Sequence, residues 1–131
     1  MKHIALCCLM AATLLAACGK KVPVTKSTAD IEFETTEHDF GEFKAGSDQH
    51  FDFVFHNIGG TPLVINEVNP SCGCIKVEFS QRPVKPGHSA KIRAFYSKSN
   101  KSKGFFHKGI GVHSNGETKF VRLHVRGKVT D

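Results

Sequence analysis

The stretch His50-Phe51-Asp52-Phe53-Val54-Phe55-His56 places three phenylalanine rings at alternate positions. Successive side chains of a strand point to opposite faces, whereas a helix brings together positions three and four apart. The rings therefore share a face only if the chain is extended, and so large an apolar face has to be covered by another layer. The same period of two recurs. Leu63 and Ile65 face one way with Glu67, against Val64, Asn66 and Val68. Ile75, Val77 and Phe79 alternate with Lys76 and Glu78. Ala90, Ile92, Ala94 and Tyr96 alternate with Lys91, Arg93 and Phe95, and Val121, Leu123 and Val125 oppose Phe120, Arg122, His124 and Arg126.

Turn signals separate these runs. Asn57-Ile-Gly-Gly-Thr-Pro breaks the chain after the phenylalanines, and Lys85-Pro86-Gly87-His88 reads as a type II turn, with proline setting the first central φ and glycine supplying the second. Residues 99–104 and 114–117 close the later loops. No helical periodicity survives beyond the N-terminal leader. About seven short strands in this arrangement predict an all-β fold, an antiparallel β-sandwich with a barrel as the alternative. Residues 30–131 supply roughly a hundred residues, enough for one core and not two.

The leader fixes the redox compartment. Met1, Lys2 and His3 precede an apolar run from Ile4 to Leu15, too short to span a bilayer comfortably, and Leu15-Ala16-Ala17-Cys18 follows. Residues 1–17 are read as an export signal. The Leu-Ala-Ala-Cys stretch resembles the bacterial lipobox, which implies cleavage before Cys18 and lipidation of that cysteine. Several acyl chains would anchor the protein to the membrane stably, where one alone holds marginally. Residues 18–29 then form a flexible tether. Gly19 stands where an aspartate commonly signals inner-membrane retention, and by that resemblance the expected address is the outer membrane, facing the periplasm. The formal net charge of +6 becomes +5 when Lys2 leaves with the signal. An exported chain of this mild basicity meets acidic lipids, wall polymers or proteins, and no nucleic-acid partner is expected.

The set HDFGEFKAG, FDFVFHNIGGTPLVINEVNPSCGC, VKPGHSAKIRAFYS, GIGVHSN and LHVRGKV resembles a family of exported bacterial domains of unknown function, DUF1573. Its members are similar to immunoglobulin-like domains of the Hydin, ASPM and SPD-2 type. The resemblance covers about Glu37 to Val129, with SCGC as its most specific element. It implies an immunoglobulin-like sandwich outside the cytoplasm and brings neither an activity nor catalytic residues. Function then has to be argued from a site.

Cys72 and Cys74 are the main candidate. Of five cysteines, Cys7 and Cys8 leave with the signal and Cys18 carries lipid, so these two remain as an even pair in an oxidising compartment. In an extended strand, positions i and i+2 lie about 6.6 Å apart, at the edge of what a disulfide closes. Closure is therefore assigned to Gly73, whose missing Cβ lets the backbone bend. Other readings stay open. Paired thiolates suit Cu(I) as a cofactor, helped by a histidine among His38, His50, His56, His88, His107, His113 and His124, although His50, His56, His107 and His113 have the parity of solvent-facing residues. A thiol oxidoreductase would want a helix N-terminus, and Ile75, Val77 and Phe79 continue the chain as a strand. Two small residues packed at a strand entry complete the set.

Hydrolytic and phosphate-binding signatures are missing, since Gly59-Gly60 lacks a strand-to-helix context. The acidic residues Glu32 to Asp52 alternate like a solvated face. Arg122, His124, Arg126 and Lys128 share one face of the last strand, which reads as a solvated face or a basic docking surface. The expected function is a membrane-anchored, non-catalytic module that binds another envelope protein, with a thiol-redox or Cu(I)-handling protein as the alternative.

Overall fold

The computed structural model describes Pro23 and residues 26–131. The export signal and the lipidation assigned to Cys18 lie outside the described residues. Eight strands follow in order: β1 (Ile31–Phe33), β2 (Glu37–Lys44), β3 (His50–Asn57), β4 (Ile65–Pro70), β5 (Ile75–Glu78), β6 (Ser89–Tyr96), β7 (Gly104–Ser114) and β8 (Phe120–Thr130). They form two four-stranded sheets, β1-β3-β6-β5 and β2-β8-β7-β4. The fold is the all-β sandwich expected, with eight strands rather than about seven. The three residues of β1 are too few to display a period of two.

Alternation places the core. Phe53, Phe55, Ile92, Ala94 and Tyr96 from one sheet meet Ile65, Ile110, Val112, Leu123 and Val125 from the other, and all are buried. Each fully buried large side chain contributes about 1.5–3 kcal/mol relative to exposure. Phe51, the third ring of the opening stretch, is half-buried and covered by the His38 ring, stacked at 3.8 Å between centroids.

Two expectations need correction. The sandwich is not wholly antiparallel, because β2 pairs with β8 in parallel. The short connection Glu34–Thr36 lets the chain change sheets without reversing direction, so β2 continues the course of β1 and meets a strand running the same way. Val68 was assigned to the face opposite Ile65, yet both are buried. A register shift between Ile65 and Glu67 inserts an extra residue into β4 and restores Val68 to the core side.

The strand directions sort the connections to two ends. The segment from Lys26 to Asp30 gathers at one end with loops 58–64, 79–88 and 115–119: Gly60 N–H donates to Thr28, Leu63 pairs with Val84, and Asn115 N–H donates to Val64. The other end holds loops 45–49, 71–74 and 97–103. Positive φ is confined to four described glycines, among them Gly87 at +75°, where His88 N–H returns to the Lys85 carbonyl at 3.0 Å as the type II turn requires.

Candidate functional site

Cys72 and Cys74 are joined in a disulfide, their Cα atoms 5.2 Å apart. They lie in the turn that carries the chain from β4 in one sheet to β5 in the other. Ile75 N–H donates to the Cys72 carbonyl at 3.1 Å, and Cys74 N–H points at the Cys72 sulfur at 3.2 Å. The turn is held on both sides. Ser71 exchanges hydrogen bonds with Gly109 on β7, and Ser97 N–H donates to the Cys74 carbonyl at 2.7 Å. Cys74 is buried in the core and Cys72 half-buried.

This geometry replaces the role assigned to Gly73. The cysteines do not sit in an extended strand, so no special bend is needed. A reverse turn brings them within reach, Gly73 has no positive φ, and a Cβ there would meet nothing within 4 Å. Among the described residues, no three His, Cys, Asp or Glu side chains come together as a metal site. With the sulfurs joined, no thiolate remains to take Cu(I), and the histidines have other neighbours. His56 hydrogen-bonds Ser89 and Glu34, His50 lies 3.6 Å from Asp48, and His107 faces His124 with 5.2 Å between ring centroids. Burial lowers the pKa of His38, against the pull of Asp39 in the other direction.

Arg122, His124, Arg126 and Lys128 do share the outer face of β8, but that face is not simply basic. Arg126 Nε lies 3.2 Å from Asp39 Oδ2, and Lys128 Nζ lies 4.0 Å from Glu42 Oε2. The Gly41 N–H first, and Arg126 after it, hold the Asp39 carboxyl below its ordinary range. The acidic residues of β2 reach this position through the parallel pairing, a contact between chain segments nearly ninety residues apart that periodicity does not encode. Arg122 is occupied differently: it lies over the Phe120 ring at 5.6 Å, and its methylenes cover Gly109.

The feature of this face that the sequence reading missed is Phe105. It is 86 % exposed, and Phe120 follows at 42 %. Lys128 Nζ stands 5.3 Å from the Phe105 ring centroid, and Asp39, Glu42, His107 and Arg126 line the groove beside it. The signal was present: Phe105 has the parity of outward-facing His107, while Phe106 packs on Phe43 and Tyr96. Two adjacent aromatics in a strand cannot both enter the core.

A second unforeseen constellation surrounds Asp30, read above only as a boundary. Its side chain is buried, and Oδ1 accepts from the N–H groups of Ile31 at 3.0 Å and Thr118 at 2.9 Å. Oδ2 pairs with Lys26, which also reaches Glu117 at 3.2 Å, and Glu117 takes a hydrogen bond from the Thr28 hydroxyl. Burial would raise the Asp30 pKa, but the hydrogen bonds from Lys26, Thr118 and Ile31 outweigh it and hold the group at about 2. Glycines make room: a Cβ on Gly59 would lie 1.8 Å from the Thr28 carbonyl oxygen, and one on Gly60 2.8 Å from that of Ser27. Residues 26–29, the end of the expected flexible tether, are thus bonded to the 58–64 and 115–119 loops, with Lys26, Ser27 and Thr28 exposed and Ala29 buried.

Solved structures share this fold at low identity. A protein of unknown function from Porphyromonas gingivalis W83 is 18 % identical with a TM-score of 0.67, over 82 % of this chain and 49 % of that one. The chain therefore spans about half the length of that relative. The ASH/PapD-like domain 7 of human CEP192 is 12 % identical with a TM-score of 0.63, over 99 % of each chain. The Pseudomonas aeruginosa CupB2 chaperone is 14 % identical with a TM-score of 0.56, over 75 % of this chain and 55 % of its own. No curated protein matches the chain. The family described as protein of unknown function (DUF1573) matches residues 31–129, through both sheets and the Cys72–Cys74 turn, and the chain belongs to it.

Proposed function

We propose that the chain is a lipid-anchored, non-catalytic interaction module of the bacterial cell envelope, held by Cys18 at the outer membrane and facing the periplasm. Its partner is another envelope protein, bound by the outer face of the β2-β8-β7-β4 sheet. The observation that carries this reading is Phe105, a large ring 86 % exposed beside paired charges of both signs. Exposed aromatics ringed by polar groups are what protein interfaces use as anchors. The likeness to the CupB2 chaperone supports the fold as a scaffold for binding.

Photo-crosslinking in intact cells tests it. A crosslinker replacing His107 in the full-length chain yields one reproducible heterologous adduct, which Phe105→Ala removes. Recovery of monomer alone overturns the reading.

The Cys72–Cys74 disulfide favours a second reading, a thiol-redox or Cu(I)-handling protein whose reduced pair takes the metal. Mass spectrometry with and without reductant, with Cu(I) titration of reduced wild type and a Cys72→Ser, Cys74→Ser double variant, decides it. Equal uptake by both proteins, with no reducible bridge in the native one, ends that idea.

A further inference from the structure

The residues around Asp30 determine more than local stability, because they fix where the chain enters the domain. Lys26 and Asp30 are tied to Glu117 and Thr118 of the 115–119 loop, and Thr28 and Ala29 to Gly60 and Glu117. Lys26 follows Cys18 by eight residue steps. Fully stretched, they reach at most about 26–29 Å. That length is less than a bilayer's thickness, so a lipid on Cys18 keeps the clamped end within that distance of the membrane, while the Cys72–Cys74 turn lies at the opposite end of the domain.

The clamped end carries cations suited to that position. Arg82, Lys85 and Lys119 are exposed, and none has a carboxylate partner among the described residues. Arg82 and Lys85 stand on the 79–88 loop, which is pinned to Asn57 by hydrogen bonds involving Val84, Gly87 and His88. Lys119 stands on the 115–119 loop, which is pinned to Pro62 and Val64 through Asn115. Both loops therefore border the same 58–64 segment against which the tether is seated. Of the carboxylates there, Asp30 is buried and Glu117 is engaged by Lys26 and Thr28. Charge alone does not select the end, since Lys76, Lys98 and Lys101 stand at the far one. The clamp selects it.

We propose that the end formed by the 79–88 and 115–119 loops docks on an anionic phospholipid surface, so that the domain stands on the membrane in one orientation instead of swinging on its tether. Basic residues next to an anchor add electrostatic attraction to anionic headgroups, and a chain lipid supplies the second attachment. The proposal rests on the anchoring reading above, and it orients Phe105, near the start of β7, toward the far end, where a periplasmic partner can reach it.

The test separates the two. The mass of the protein isolated from membranes reports whether Cys18 carries lipid, which decides anchoring. For docking, the mature chain is coupled through Cys18 to a maleimide lipid, with the other two cysteines left joined, so the tether is the same whatever the cell attaches. It is placed on phosphatidylcholine vesicles with and without phosphatidylglycerol and treated with a water-soluble amine label, read by mass spectrometry. Labelling of Lys85 and Lys119 falls several-fold on the anionic vesicles, while Lys76, Lys98 and Lys101 label as before. The protection is lost when ionic strength rises from about 0.01 to about 1 M, as the screening length shrinks from about 30 to about 3 Å. It is lost also at Lys119 in Arg82→Glu, Lys85→Gln and at Lys85 in Arg82→Glu, Lys119→Gln, two surface variants that keep the fold and each leave one reporter lysine in place. Equal labelling at both ends on anionic vesicles, or protection unaffected by these variants, overturns the proposal.

Discussion

The carboxylate of Asp30 accepts the N–H of Thr118 at 2.9 Å across 88 positions of sequence. The bond joins the entry of the chain to the loop before its last strand, and it predicts an acid transition. Asp30 has a folded pKa of about 2 against an ordinary 3.8. The folded state therefore binds fewer protons than the unfolded one, so the stabilisation is complete above the ordinary value and disappears as pH falls through that interval. Asp52, held at about 2 chiefly by Arg93, titrates in the same window. In an Asp52→Asn background, Asp30→Asn lowers stability near neutrality by about 1–3 kcal/mol and makes the loss between these two pH values shallower, leaving the part due to Asp39 and Glu117. Urea unfolding followed across pH measures both effects.

Two glycines in connections between strands have opposite expectations. Gly59→Ala drives a methyl into the Thr28 carbonyl and is strongly destabilising, or forces the 26–29 segment off the 58–64 loop. Gly73→Ala is accommodated, since its φ is ordinary and the space is open, with a change within about 0.5 kcal/mol. Thermal unfolding of the two variants beside wild type is sufficient.

The disulfide spans so few residues that it restricts the unfolded chain little. Replacing Cys72 and Cys74 together by alanine costs about 1.5 kcal/mol in the chain-entropy account, far below what a long-range bridge would lose. A loss of about 4 kcal/mol or more in denaturant unfolding would show that the bridge holds the sheet-to-sheet corner by another means.

His38 introduces a transition at higher pH. Its pKa is lowered by burial against Phe51, so the fold prefers the neutral ring. Protonation is easier in the unfolded chain, and stability declines as pH drops below the ordinary value of 6.5. His38→Phe keeps the stacking and removes that slope. Denaturant midpoints compared between pH 8 and pH 5 show a smaller difference for the variant than for wild type.

Legibility in the sequence followed the range of the interactions. The parity of Phe53, Phe55, Ile92, Ile110 and Leu123 was readable because alternation is a property of neighbours along the chain. The Lys85–His88 turn was readable for the same reason. Val68 was misassigned because a single inserted residue reverses every later parity, and nothing local marks the shift between Ile65 and Glu67. Gly73 was overvalued because strand geometry was extended into what is a turn. At the outer face, the cations of β8 were visible in the sequence, and their neutralisation by Asp39 and Glu42 was not.

By itself, then, the sequence determined a two-layer β fold, its core residues and an even pair of cysteines, all of which rest on short-range spacing. Only the tertiary structure decided that β2 lies parallel to β8, that Asp30 anchors the tether beside Thr118, and that Phe105 stands in solvent. These depend on which distant strands become neighbours, and that choice is made by burying both sheets' apolar faces at once rather than by any one segment.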